Sequence, residues 1–381
     1  MSVEKILERF DKVASNPKEQ FDKYISEGKK VVLTAPVYTP EEIIHSMGMV
    51  PMGVWGADIV LEEAKEYFPT FICSIMQSVL ELGIKGVYKG ASAIVIPSLC
   101  DSLKCLGQNW KYAVKDIPFI PMTYPQNRDN QVGIDFTKAG YKRVIKDLTN
   151  ATGIEFDDKK LIESEKIYNE HNKVMRELDE ELANHSEISA RQRCSVYKSA
   201  FFMLKEEHTE LVKELIKALK ETEKKDEKVK IMTTGILCDS PALLDIIDNC
   251  GFQIVADDVA AESRQYRTDT VIGEDGVDAL ACKFAKMDNC SVLYDIGKKR
   301  PSYIVNQAKQ RGAKAVVLVL TKFCDPEEFD AVPIKRECNK QGMHFVTIEV
   351  DRQMMEFGQI RTMMETLRDI LDYSDVKGEN I

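Results

Sequence analysis

The fold turns on two stretches that answer each other, "GASAIVIPSLCD" at residues 90–101 and "GAKAVVLVLTKFCD" at residues 312–325. Each opens on Gly-Ala, runs through aliphatic residues and closes on Cys-Asp. A short continuous apolar run of this kind reads as a strand buried on both faces, as parallel sheets require. In open parallel sheets, ligands sit beyond the carboxyl ends of the strands. A cysteine stands at that point in both stretches.

Outward from these strands the chain repeats itself. Around the first lie "KKVVLTAP" (29–36), "MVPMGVW" (49–55) and "PFIPMTY" (118–124). Around the second lie "VKIMTTG" (229–235), "GFQIVAD" (251–257) and "MHFVTIEV" (343–350). Helical stretches alternate with them. "TPEEIIHSMG" (39–48) offers Thr39 as N-cap, Pro40 at the first helical position and acids in the first turn. "SPALLDIIDNCG" (240–251) answers it in the second half. "FICSIMQSVLELGIKGVY" (71–88) has apolar spacing near the helical period.

The expected fold class is α/β: two related Rossmann-like lobes with parallel sheets of about four strands each, plus a helical segment between them. Residues 1–135 form an N-terminal helix and the first lobe, 136–226 the helical segment, and 227–381 the second lobe with a C-terminal helix. The helical segment is charged and packs on lobe one as a bridge. Ser186 reads as a cap between two of its helices. "KETEKKDEK" (220–228) reads as a solvated linker.

Bulk properties narrow the function. A chain of 381 residues exceeds one simple core. Its formal charge of −10 argues against nucleic acid, which needs a basic stripe. No apolar run reaches membrane-span length, and the N-terminus reads as a charged amphipathic helix, so the expected location is the cytoplasm. There the ten cysteines stay reduced. No G-x-x-x-x-G-K-[ST] loop occurs, so no ATP hydrolysis is expected of this chain. No G-x-G-x-x-G follows the first strand, which argues against a dinucleotide enzyme. The five histidines are scattered and suggest neither a metal site nor a triad.

Three cysteines fall at the cleft. Cys100 and Cys324 follow corresponding strands of the two lobes. Cys73 starts the helix after the second strand, where helix N–H groups and the dipole favour a thiolate. If the lobes face each other, two thiols from one and one from the other converge. Zinc is one use for such a set, though paired C-x-x-C knuckles are missing. An iron–sulfur cluster is another, and it tolerates wide spacing. Cys105 is a weaker candidate for a fourth ligand. Cys238 also precedes an aspartate at a strand end but reads as structural. Cys194, Cys250, Cys282, Cys290 and Cys338 read as packing.

Taken together, "FICSIMQ" (71–77), "IPSLCDSLKCLGQNW" (96–110), "DDVAAESRQYR" (257–267), "LTKFCDPEEFD" (320–330) and "IEVDRQMMEFGQIRTMMETL" (348–367) resemble the 2-hydroxyacyl-CoA dehydratases. That larger family also holds the benzoyl-CoA reductase subunits. The resemblance runs over nearly the whole chain and is to the beta-type subunit. It implies a heterodimer with a homologous alpha-type subunit, each chain carrying one 4Fe-4S cluster. It implies Cys73, Cys100 and Cys324 as cluster ligands; Cys105 is not part of the shared pattern. It further implies an acyl-CoA substrate held mainly by the alpha-type chain, and a separate ATP-dependent iron–sulfur activator.

The chemistry explains such machinery. Loss of water from a 2-hydroxyacyl thioester needs a proton from C3, which the carbonyl does not acidify. One electron added to the carbonyl gives a ketyl radical, which expels hydroxide and makes the C3 proton acidic. The electron then returns. A strongly reducing cluster is the cofactor this calls for.

Two further expectations concern neighbours of the thiols. Arg264 offsets cluster charge, contacts the partner chain or makes a surface salt bridge. Gln108, Asn109 and Trp110 cover the cluster or are plain helix packing. The competing functions are a subunit of an aromatic acyl-CoA reductase, a non-catalytic cluster-bearing electron-transfer protein, and a zinc–thiolate structural protein.

Overall fold

The computed structural model describes residues 2–377. Met1 and residues 378–381, the outer ends of the first and last expected segments, lie outside the described residues. Two N-terminal helices, α1 (Val3–Ser15) and α2 (Pro17–Ser26), lead into the first lobe. There β1 (Val31–Thr34), α3 (Glu41–Ser46), β2 (Val50–Gly53), α4 (Ser74–Ile84), β3 (Ala93–Pro97), α5 (Asp101–Ala113) and β4 (Phe119–Met122) alternate in the expected order. Four helices follow: α6 (Gln131–Thr152), α7 (Asp158–Leu182), α8 (Ala190–Ser199) and α9 (Lys205–Lys220).

The second lobe opens with β5 (Val229–Gly235), α10 (Pro241–Asn249) and β6 (Phe252–Val259). It continues through α11 (Gly276–Lys286), α12 (Arg300–Gln310), β7 (Ala315–Thr321), α13 (Asp325–Lys340) and β8 (His344–Val350), and closes with α14 (Gly358–Lys377). The sheet orders are β2-β1-β3-β4 and β6-β5-β7-β8, and every pairing is parallel. The two lobes therefore share one topology, as the repeated strand order predicts.

Burial follows position in the sheet. The central strands β1 and β3 are buried throughout, and β7 nearly so. The edge strands β4 and β8 are only partly covered. The other two edges, β2 and β6, are buried along their length. The chain between the sheets covers them. Gly53 N–H at the β2 edge donates to the Phe201 carbonyl at 2.8 Å. Gln253 on β6 donates to the Leu182 carbonyl at 3.2 Å. Exposed strand edges invite pairing with other chains, and here the helical segment closes them.

That segment has a core of its own. Val174, Met175 and Leu178 of α7 meet Leu211 and Leu215 of α9, with Ile6 and Phe10 of α1 packed in. The first turn of α8 differs from expectation. Its cap is Ser189, whose hydroxyl accepts from Gln192 N–H while the Gln192 side chain returns a bond to Ser189 N–H. Ser186 is instead buried, and its hydroxyl accepts from Glu227 N–H. The reciprocal capping box satisfies two helix N–H groups at once, which a lone serine does not.

Glu165 on α7 is fully buried, and neither carboxyl oxygen has a hydrogen-bond partner. Burial first, then the Glu42 carboxylate, push its pKa up to about 8, while Lys283 pulls it down and Asp158 and Asp275 raise it further. The folded chain thus keeps a proton that an ordinary glutamate releases. Stability from this group is complete at pH below the ordinary glutamate value and declines as pH rises to about 8. Glu165→Gln is expected to remove that decline. In urea titrations the variant should match the parent at acid pH and exceed it by on the order of 5 kcal/mol above pH ~8.5.

Candidate functional site

The strand-end cysteines are the first things to place. Cys73, Cys100 and Cys324 each occupy the N-cap position of a helix, on α4, α5 and α13 respectively. All three line one cavity of about 460 Å³. Its wall draws on both lobes, with Val37 and Gln126 from the first and Ser291, Tyr294 and Phe329 from the second. The thiols from opposite halves of the chain therefore do meet around one chamber. Among the described residues, no three Cys, His, Asp or Glu side chains gather closely enough to chelate a single ion.

Their electrostatics follow from that placement. Burial raises the Cys73 thiol, while the N–H groups of Ile75 and Met76 and the charge of Arg352 act the other way. Burial pushes Cys100 up to about 12, against the N–H groups of Leu103 and Ser102, with Cys73 adding repulsion. Cys324 is raised well above the ordinary thiol range by burial, then by Cys73 and Glu327, against the Glu327 N–H. The protein alone thus holds three protonated thiols, whose thiolates would repel one another. Helix N–H groups stand ready for thiolates, and a bound cationic centre would deprotonate all three. The donor set fits a thiolate-ligated metal centre on those grounds.

Phe323, just before Cys324, has φ of 61°. A bulky residue there is strained, and the turn it makes delivers Cys324 from β7 to the head of α13.

The remaining cysteines separate clearly. Cys105 is exposed on α5 and does not line the chamber. Cys238 is buried after β5, beside Cys194, and is also absent from the chamber wall. Trp110 is fully buried, and its indole N–H donates to the Ile117 carbonyl at 3.0 Å. Asn109 donates to the Tyr67 carbonyl at 2.7 Å, and Gln108 is exposed. Of the two readings for this trio, helix packing is the one their contacts match; none of them reaches the chamber.

Arg264 requires a correction. It is buried, so its ion pairs are not a surface salt bridge. Its guanidinium meets Asp258 at 3.0 Å and Glu327 at 2.9 Å. Arg300 holds the other oxygen of Glu327 at 2.7 Å and reaches Asp330 at 2.8 Å. Ser291, on the chamber wall, donates to Glu327 at 2.7 Å. Glu327 lies in the first turn of α13 and its N–H bonds back to the Cys324 carbonyl. The network therefore clamps the helix end that carries Cys324.

Arg352 performs the matching task for Cys73. It follows β8 and is buried. Its side chain bonds Asp58 at 3.0 Å, Asp239 at 2.9 Å and the Trp55 carbonyl at 3.1 Å. Its backbone N–H donates to the Ser74 hydroxyl at 3.1 Å. Ser74 is the residue after Cys73, so lobe two grips lobe one at the head of α4. Asp239 explains the Cys-Asp after β5: its carboxylate, held well below the usual range by Arg352 and Lys198, belongs to this junction. The roles of Arg352, Glu327 and Arg300 were not foreseen. Arg352 does stand inside the quoted "IEVDRQ" stretch, but its type alone did not reveal a buried partner set.

Fold and chamber together define a class: two related α/β lobes that present thiols from both halves to one cavity. Within that class the chain belongs to the 2-hydroxyglutaryl-CoA dehydratase D-component family, whose model matches residues 36–371. It is 42% identical over 371 residues to the (R)-phenyllactyl-CoA dehydratase beta subunit of Clostridium sporogenes, spanning 97% of this chain and 99% of that one. It is 40% identical over 374 residues to lactoyl-CoA dehydratase subunit beta of Anaerotignum propionicum, spanning 97% and 99%. To the (R)-2-hydroxyglutaryl-CoA dehydratase subunit beta of Acidaminococcus fermentans it is 36% identical over 379 residues, spanning 97% and 100%. Among the described residues, no helix is long and apolar enough to cross a membrane.

Removing one member of a buried ion network strands its partners. Arg352→Met and Arg264→Met are each expected to lower unfolding stability by about 3–5 kcal/mol. Denaturant titration of each variant checks this. A double-mutant cycle of Arg264→Met with Glu327→Gln should show strong coupling, since the two touch.

Proposed function

We propose that this chain is the beta-type, iron–sulfur subunit of a heterodimeric (R)-2-hydroxyacyl-CoA dehydratase. The observation that carries the reading is the meeting of Cys73, Cys100 and Cys324 around one chamber in a chain of this family. The relatives at 36–42% identity are named as beta subunits of dehydratases acting on three different acyl-CoA compounds, which supports a partner chain and an acyl-CoA substrate. Those names also favour dehydration over reduction of an aromatic acyl-CoA. The reaction of the assembled enzyme is reversible elimination of water to an (E)-2-enoyl-CoA. It runs by a ketyl-radical mechanism after one-electron reduction by an ATP-dependent activator. The chain works in the cytoplasm, with the substrate held mainly by the alpha-type subunit.

In this reading Cys73, Cys100 and Cys324 hold a 4Fe-4S cluster, whose chemistry is the storage and transfer of a single low-potential electron. Cys105, outside the chamber, leaves the fourth iron without a cysteine of this chain. The protein's own contribution is placement. Three helix N-termini face the sulfurs, and the two arginine networks keep those helix ends from moving.

Anaerobic co-expression with the alpha-type partner tests the proposal. Cys73→Ser, Cys100→Ser and Cys324→Ser should each lose most of the iron and sulfide of this chain and abolish dehydration, whereas Cys105→Ser should keep both. Iron and sulfide counts of the separated subunit provide a readout apart from activity. Zinc in place of iron, or equal loss on Cys105→Ser, would refute the assignment.

A further inference from the structure

A second cavity, of about 70 Å³, lies where the two lobes meet the helical segment. Lobe one supplies Tyr38, Glu41 and Glu42, the helical segment His171 and Lys205, and lobe two Lys283. The charged groups pair with each other: Lys205 with Glu41 at 3.2 Å and Lys283 with Glu42 at 2.6 Å. His171 is the exception. It is fully buried on α7, and its Nδ1 has no hydrogen-bond partner.

The protonation of His171 can be read from its neighbour. His208 Nε2 lies 3.0 Å from the Val196 carbonyl, which can only accept, so His208 carries its proton on Nε2. Burial keeps both imidazoles neutral, lowering His171 well below the ordinary value and His208 to about 3. His208 Nδ1 is therefore an acceptor. His171 Nε2, 2.9 Å away, must be the donor to it. That leaves His171 Nδ1 with a bare lone pair inside the protein. Buried polar atoms are almost always paired, with ordered water where protein offers nothing.

We infer that this cavity is a bound-water site, in which a water molecule donates to His171 Nδ1 and links the helical segment to both lobes. The volume admits several waters, since one needs roughly 10–15 Å³ of accessible space. A neutral donor fits better than an ammonium ion, because both carboxylates already have their lysines. Tyr38 extends the site toward the thiol chamber. It lines this cavity, and its hydroxyl donates to Cys290 Sγ at 3.1 Å, next to Ser291 on the chamber wall. The site owes nothing to iron and stands whether or not the chamber holds a cluster.

The test uses the intact chain. In a high-resolution crystal structure, ordered water is expected at hydrogen-bond distance from His171 Nδ1. In protein with nitrogen-15 histidine, His171 is expected as the neutral Nε2–H tautomer, unchanged from pH ~5.5 to ~8.5. His171→Phe keeps a ring and removes the acceptor, so the anchored water should vanish from its density. A dry cavity, an Nδ1–H tautomer or imidazolium at His171, or a protected signal from added nitrogen-15 ammonium would each overturn the inference. If His171→Phe fails to fold, the parent's density and tautomer decide the matter alone.

Discussion

The meeting of the thiols depends on the junction between the lobes, and Arg352 sits at that junction next to Cys73. Sulfurs carried by different lobes meet only if the lobes are locked together. Arg352 leaves the end of β8 in lobe two and bonds Asp58 and the Trp55 carbonyl of lobe one, with Asp239 of its own lobe completing the set. Its backbone N–H also holds Ser74, beside Cys73. A flexible ammonium in its place has no planar fork to satisfy two carboxylates and a carbonyl at once. The turn that bonds Arg352 approaches α4 closely. Gly56 there has φ of 72°, and a Cβ on it would stand 2.0 Å from the Ser78 hydroxyl. The lock therefore needs both the guanidinium and the bare backbone it reaches across.

Placing the thiols at helix N-caps solves a second difficulty. Burial makes an isolated thiolate costly, and neighbouring thiolates repel. The chain counters with oriented backbone N–H groups at each sulfur. Such dipoles are fixed by the helices and need no reorganisation when charge appears. Behind the chamber wall, Arg264, Arg300, Asp258 and Glu327 cancel among themselves. The chamber thus faces the helix ends directly and the ion network only through Ser291, Asp330 and the α13 turn.

The sequence made the sheets and the three chamber thiols legible because both rest on local pattern. Unbroken apolar runs at strand length report parallel strands, and a cysteine at the strand end inherits its position from the sheet. Cys105 was placed by nearness in sequence, but five residues of helix is about 1.4 turns, enough to carry a side chain off the capped end. Ser186 is the expected cap, yet the Ser-x-x-Gln spacing of the capping box stands in the sequence at 189–192. Arg264 and Arg352 were legible as residues and illegible as roles. Their partners come from strands and helices far along the chain, and no local signal states that a guanidinium will be buried.

The duplication is exact in topology and broken in chemistry, and the break accounts for the uneven supply of thiols. After β3 and β7 both lobes place a cysteine at the head of a helix. After the second strand they diverge. Lobe one runs from β2 through a loop with a short helical turn at Ala64–Glu66 to Cys73 and α4. Lobe two runs from β6 into a short helical turn that carries Arg264. Where one lobe offers a thiol to the chamber, the other sends a guanidinium beneath the helix bearing Cys324. A fourth sulfur at that point would have to give up the bonds to Asp258 and Glu327, and with them the clamp on α13. Two thiols against one is thus the arrangement that leaves lobe two able to hold its single sulfur in place.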